Sequence, residues 1–155
     1  MCMKKTKDIL TFLMHKDSRI GWSKITKSNH INNAILFEIL STLCTVAQFK
    51  QVRLAIKNRL NLNKVRVIAN PEFCGKQMAQ IRLGYEHNLT EDQIKLYLNP
   101  KFNYRQMKQI RIAFEKKLTI GEVQTFAKPE LHHVDMMCLR DEFELEYLRK
   151  EIYGK

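Results

Sequence analysis

The sequence has little of what breaks or closes a chain. Among 155 residues there are five glycines, three prolines and a single tryptophan. That shortage excludes collagen-like chains, flexible linkers and low-complexity tracts. No long hydrophobic run is present either. The longest, at residues 34–40, is interrupted by Glu38 and is far too short to span a bilayer. The basic start, MCMKKTKDILTFLM, has a short apolar stretch and no small-residue cleavage site after it, so no secretory signal is expected. Cys2, Cys44, Cys74 and Cys138 form no C-x-x-C pair, which points to a reduced, cytoplasmic setting. A glycine-rich phosphate loop and a G-x-S-x-G nucleophile motif are both missing, so the chain is expected to be no enzyme and to need no cofactor.

Acidic residues are scarce in the front half. Residues 1–71 hold thirteen Lys/Arg against Asp8, Asp17 and Glu38, whereas residues 72–155 hold fourteen against thirteen Asp/Glu. Ten of the eleven net positive charges therefore belong to the front. Solubility alone would spread it evenly. The asymmetry points to an acidic partner there: nucleic acid, a nucleoprotein or an acidic protein face.

What is present in quantity is repetition. KQMAQIRLGYEHNLTEDQIKLYLNPKF is followed by RQMKQIRIAFEKKLTIGEVQTFAKPEL. Gln48, Gln77 and Gln106 lie 29 residues apart, and Asp135 continues the series. Phe49/Met78/Met107/Met136, Arg53/Arg82/Arg111/Arg140 and Ile56/Tyr85/Phe114/Phe143 keep the same step, as do Pro71, Pro100 and Pro129. Such a period is the signature of stacked supersecondary units.

Each copy reads as helix, turn, helix. Met78, Ile81, Tyr85 and Leu89 fall on one helical stripe. Asn61, Thr90 and Thr119 are suited to cap a second, shorter helix, and Thr90-x-x-Gln93 and Thr119-x-x-Glu122 are capping boxes. That helix must end before Asn99-Pro100. Small residues at Ala55, Gly84 and Ala113 allow adjacent helices to approach closely. In the fourth copy Asp141 and Glu142 replace an apolar and a small residue, the mark of a polar terminal cap. The helix there is expected to continue as DEFELEYLRKEIYG.

Residues 1–44 do not follow the period and are expected to form a small basic helical lobe. KKTKDILTFLMH places Ile9, Phe12 and Leu13 on one face, and INNAILFEILSTLC reads as a second helix capped by Asn32 or Asn33. The expected fold is thus all-α: a right-handed stack of four 29-residue helical hairpins, a short solenoid, over residues 45–155, with the lobe packed on its first unit.

The pattern Gln-Met-x-x-Ile-Arg-x-Gly/Ala-x-Glu-x-x-Leu, followed by a short helix and Pro-x-Phe, resembles short repeats in proteins of Gram-positive mobile elements and prophages. The likeness covers roughly residues 48–145. Copy one departs from it with Phe49 for Met and Lys57 for Glu. The resemblance implies a bacterial mobile-element setting, where small basic proteins include repressors, DNA-handling accessories and inhibitors of host defence nucleases.

Two sets of cations are candidates for the site. The ladder Arg53, Arg82, Arg111 and Arg140 could follow a row of phosphates or an acidic groove. Glu86, Glu115 and Glu144 stand four residues after the last three, however, which favours internal pairing for those. Arg53 has Lys57 at that position and is the member freest to meet an outside anion. The looser set Lys50, Lys57, Arg59, Lys64 and Arg66, with Lys16, Arg19, Lys24 and Lys27 before it, lacks nearby acids and is the better candidate. Trp22 lies inside the latter group, where it could stack on a base, fill a partner's pocket or pack the lobe.

His132, His133 and Cys138 fit no common zinc spacing, so no metal is expected. A helix-turn-helix reading of residues 5–44 is disfavoured because its last helix is apolar almost all round. The expectation is a non-enzymatic binding protein whose basic half engages an acidic protein or nucleoprotein, in the form of an inhibitor of a host defence nuclease of the anti-CRISPR kind. The alternatives are a nucleic-acid-binding repressor or accessory factor and, third, a structural assembly subunit.

Overall fold

The computed structural model describes residues 33–154. Among them are eight helices and no strand. These are α1 (Asn33–Ser41), α2 (Val46–Lys57), α3 (Leu62–Ile68), α4 (Gly75–Glu86), α5 (Glu91–Tyr97), α6 (Tyr104–Glu115), α7 (Ile120–Phe126) and α8 (His133–Tyr153). The sequence period returns in the backbone. A helix of 12 residues is followed by one of 7, three times.

Caps set these lengths. Thr45 and Asn103 open α2 and α6, and Asn61, Thr90 and Thr119 open α3, α5 and α7, each accepting a backbone N–H of the first turn. The 12-residue helices all stop on one device. Leu60, Leu89 and Leu118 donate their N–H groups to Ala55, Gly84 and Ala113, six-to-one bonds that are possible only if the residue before each leucine turns left-handed. Those residues are Arg59 at φ 60°, Asn88 at 62° and Lys117 at 67°. Asparagine suits that conformation. Arginine and lysine pay roughly 1–2 kcal/mol for it, and their charge beside the helix's carbonyl end offsets part of the cost.

The chain divides into two compact units, residues 1–82 and 83–155, and the division falls within α4. In the first unit α2 packs on α3. Phe49, Val52 and Ile56 on α2 and Val65 and Ile68 on α3 are almost wholly buried, as are Leu36, Leu40 and Leu43 around α1. Each such side chain contributes about 1.5–3 kcal/mol of burial. The start of α4 comes so close to α2 that a Cβ on Gly75 would lie 2.6 Å from that of Ala47. The amphipathic segment around Ile9, Phe12 and Leu13 and the Asn32 cap lie outside the described residues.

In the second unit α6 packs against α5, α7 and α8. Gly84 is small for a reason inside its own copy. A Cβ there would sit 2.1 Å from the Tyr97 hydroxyl and 2.6 Å from Ile94 Cδ1, so this position accommodates α5. The Phe126 ring of α7 meets Phe143 of α8 at 6.3 Å between centroids.

The fourth copy is not a hairpin. Where the others turn and recap, α8 runs on as a single 21-residue helix to Gly154, whose φ of 63° ends it. The reason is local. Residues 146–148 are Glu, Tyr and Leu in place of Lys117, Leu118 and Thr119, so the N-cap that would start a second helix is gone.

Candidate partner-binding face

The repeated glutamine holds the first and third copies closed. Gln48 accepts the N–H groups of Cys44 and Thr45 at 3.0 and 2.9 Å, and its amide donates to the carbonyls of Pro71 and Phe73 at 3.3 and 2.9 Å. Gln106 does the same in the second unit, accepting from Asn103 at 2.8 Å and donating to Pro129 and Leu131 at 2.9 and 2.6 Å. One side chain therefore joins the start of a 12-residue helix to the end of the 7-residue helix that follows it. The sequence carried a signal for this, the capping residues Thr45 and Asn103 three positions before Gln48 and Gln106.

The arginine ladder is largely engaged within the protein. Buried Arg82 donates through Nε to Gln51 at 3.1 Å. Arg140 repeats that bond on Gln109, which also stands 31 residues earlier, and pairs with Asp141 and Glu144. Arg111 is buried and pairs with Glu115, whose carboxylate also holds His87 Nδ1 at 2.5 Å. Arg53 differs. The residue 31 before it is Trp22, and its i+4 neighbour is Lys57. Its Nε is buried and has no hydrogen-bond partner.

Arg53 stands between Lys50 and Lys57 on α2. Spacings of three and four place all three on one stripe, away from Phe49, Val52 and Ile56. Lys50 and Lys57 are exposed, as are Arg59 in the following turn and Arg66 on α3, while Lys64 is half-buried. Across residues 33–82 only Glu38 and Glu72 carry negative charge, against eight Lys/Arg. Lys57 closes the last turn of α2, so the stripe ends at that helix's negative pole. Lys16, Arg19, Trp22, Lys24 and Lys27 lie outside the described residues.

The remaining candidates stay apart. His132 caps α8 through Nδ1, Cys44, Cys74 and Cys138 are exposed and in no disulfide, and no group of three His, Cys, Asp or Glu gathers among the described residues. No described helix is long and apolar enough to cross a membrane. The carboxylates expected on the last copy are present, with Asp141 tied to Arg140. The same helix also exposes Val134, Met137, Leu145, Leu148 and Ile152, a row that was not anticipated. Comparison with known proteins finds no matching family, curated protein or solved structure.

Proposed function

We propose that this is a non-enzymatic binding protein whose basic N-terminal half engages an acidic protein or nucleoprotein. In this reading the three hairpins and the closing helix pile into a short right-handed solenoid, and the lobe covers its first turn. The observation that carries the proposal is the stripe of Lys50, Arg53 and Lys57 with exposed Arg59 and Arg66, in a stretch almost free of carboxylates. Elsewhere the ladder arginines spend their charge internally; here the cations are left for an outside anion. A protein or nucleoprotein partner is preferred to free DNA because stacked hairpins offer side-chain surfaces suited to other proteins. The mobile-element likeness gives the concrete form, an inhibitor of a host defence nuclease of the anti-CRISPR kind.

The test is cleavage by purified CRISPR effector nucleases with the protein added, alongside binding to duplex and single-stranded DNA across a salt series. Inhibition that Lys57→Glu, Arg59→Glu and Arg66→Glu together abolish, without appreciable affinity for free DNA, supports the proposal. Tight DNA binding that falls log-linearly with salt, with no effect on any nuclease, replaces it with the repressor or accessory reading.

A further inference from the structure

Each long helix is preceded at the same register by Thr45, Cys74, Asn103 or His132. Thr45 and Asn103 cap α2 and α6 through side-chain oxygens, whose lone pairs do not depend on pH. The last copy uses a base instead. His132 accepts the Val134 N–H through Nδ1 at 3.4 Å. An imidazole accepts only while that nitrogen is unprotonated; an imidazolium donates from both nitrogens and accepts nothing. Among the caps of α2, α6 and α8, this is the one that a proton abolishes.

Its surroundings penalise the added charge. The His133 ring lies 4.2 Å from that of His132, centroid to centroid, inclined at 50°. The His133 imidazole is held below its ordinary 6.5 by partial burial first, then by His132 and by Arg105 of α6, while Asp135 opposes. A lowered folded-state value gives stability that is present above 6.5 and is lost as pH falls through the folded value. Both rings also sit at the positive pole of a 21-residue helix, where a cation is unfavourable. Lys108 stands one turn beyond Arg105, and Lys128 and Glu130 lie in the turn leading to α8. The charged residue of α7, Glu122, is at that helix's other end, bonded to Tyr147. Cations thus outnumber carboxylates around the pair.

The cap fixes the start of the helix that packs on α6. Met136 donates its N–H to the His132 carbonyl at 3.1 Å and is fully buried. Further along, Arg140 on Gln109 and Phe143 against Phe126 hold the rest of α8 in place.

We propose that His132 makes the first turn of α8 an acid-sensitive latch: protonation withdraws its cap and loosens the turn that buries Met136. The device is local and independent of the front-half cations.

The experiment measures amide-exchange protection at Val134 and Met136 in the full chain by NMR, from about pH 7.5 to about pH 5, each rate divided by its intrinsic value at that pH. Arg105 and Met107, which hold the same positions behind the Asn103 cap, are the internal reference. Protection at Val134 and Met136 should fall about fivefold, the loss of one cap, while that of the reference pair stays constant. His132→Asn, which copies the cap of α6, should remove most of the fall. His133→Gln should retain most of it, since the lone pair belongs to His132. The proposal is overturned if the wild-type values do not change, if His132→Asn falls as far as wild type, or if His133→Gln alone abolishes the fall. A parallel fall at Arg105 and Met107 overturns it too, because the acid effect is then general.

Discussion

In the first unit α2 ends at Asn58, Arg59 and Leu60, and in the second α6 ends at Lys116, Lys117 and Leu118, with the same hydrogen bonds and the same left-handed residue. Their surroundings diverge. Around α6 the charges are matched: Arg111 meets Glu115, Lys116 meets Glu144, and residues 83–154 hold eleven Lys/Arg against twelve Asp/Glu. Around α2 two carboxylates face eight cations. The backbone plan thus depends on caps, glutamines and buried apolar positions, while exposed charge is free to drift with function.

The comparison can be broken most forcefully in the core. Phe49→Ala in the first unit and Phe126→Ala in the second should each cost about 3–5 kcal/mol in denaturant unfolding, because both rings are buried. A large cost in one and a small cost in the other would end the equivalence of the two cores. Next come the glutamines. Gln48→Ala and Gln106→Ala should each lose about 2 kcal/mol, since each strands buried backbone groups at both ends of its copy.

The arginines sharpen the contrast. Arg111→Met should cost about 1–2 kcal/mol by leaving the Glu115 carboxylate with the His87 contact alone. Arg53→Met should fall within about 0.5 kcal/mol of wild type, because its buried Nε–H donates no hydrogen bond that would be lost. Tyr97→Phe should be neutral, or stabilising by up to about 1 kcal/mol. Its hydroxyl is buried without a partner, burial holds it protonated, and the matching residues Ile68 and Phe126 manage without one.

The smallest effect is at Glu122. Its carboxyl is held below the ordinary 4.5, first by the Thr119 backbone N–H and also by the Thr119 hydroxyl, while burial opposes. A depressed folded-state pKa gives stability that is present above 4.5 and is lost as pH falls through the folded value. Glu122→Gln keeps the capping geometry, so wild type should exceed it by under about 0.5 kcal/mol near neutrality. Thermal melts should show that margin closing below pH 4.5.

Much of this was legible because helices announce themselves locally. The period, Thr90 and Thr119 as caps, the inward Met78 and Tyr97 and the internal use of Arg111 and Arg140 all follow from spacings of three, four and 29 residues. Two things were not. The fourth copy was counted as a hairpin even though its helix was expected to run on as DEFELEYLRKEIYG; a helix continues unless a cap stops it, and Leu148 is no cap. The other is which adjacent helix Gly84 clears, because sequence spacing does not say which surface a small residue must meet. Tyr97 of its own copy is what it clears.

A side chain gripping carbonyls 23 and 25 residues downstream acts as a ruler. Adding or deleting one residue between Gln106 and Pro129 would rotate both acceptors out of its reach, whereas nearly any exposed letter in between can change at no cost to the grip. Lineages of this protein should therefore tolerate extensive rewriting of their outer surface and almost no change in the spacing of their copies.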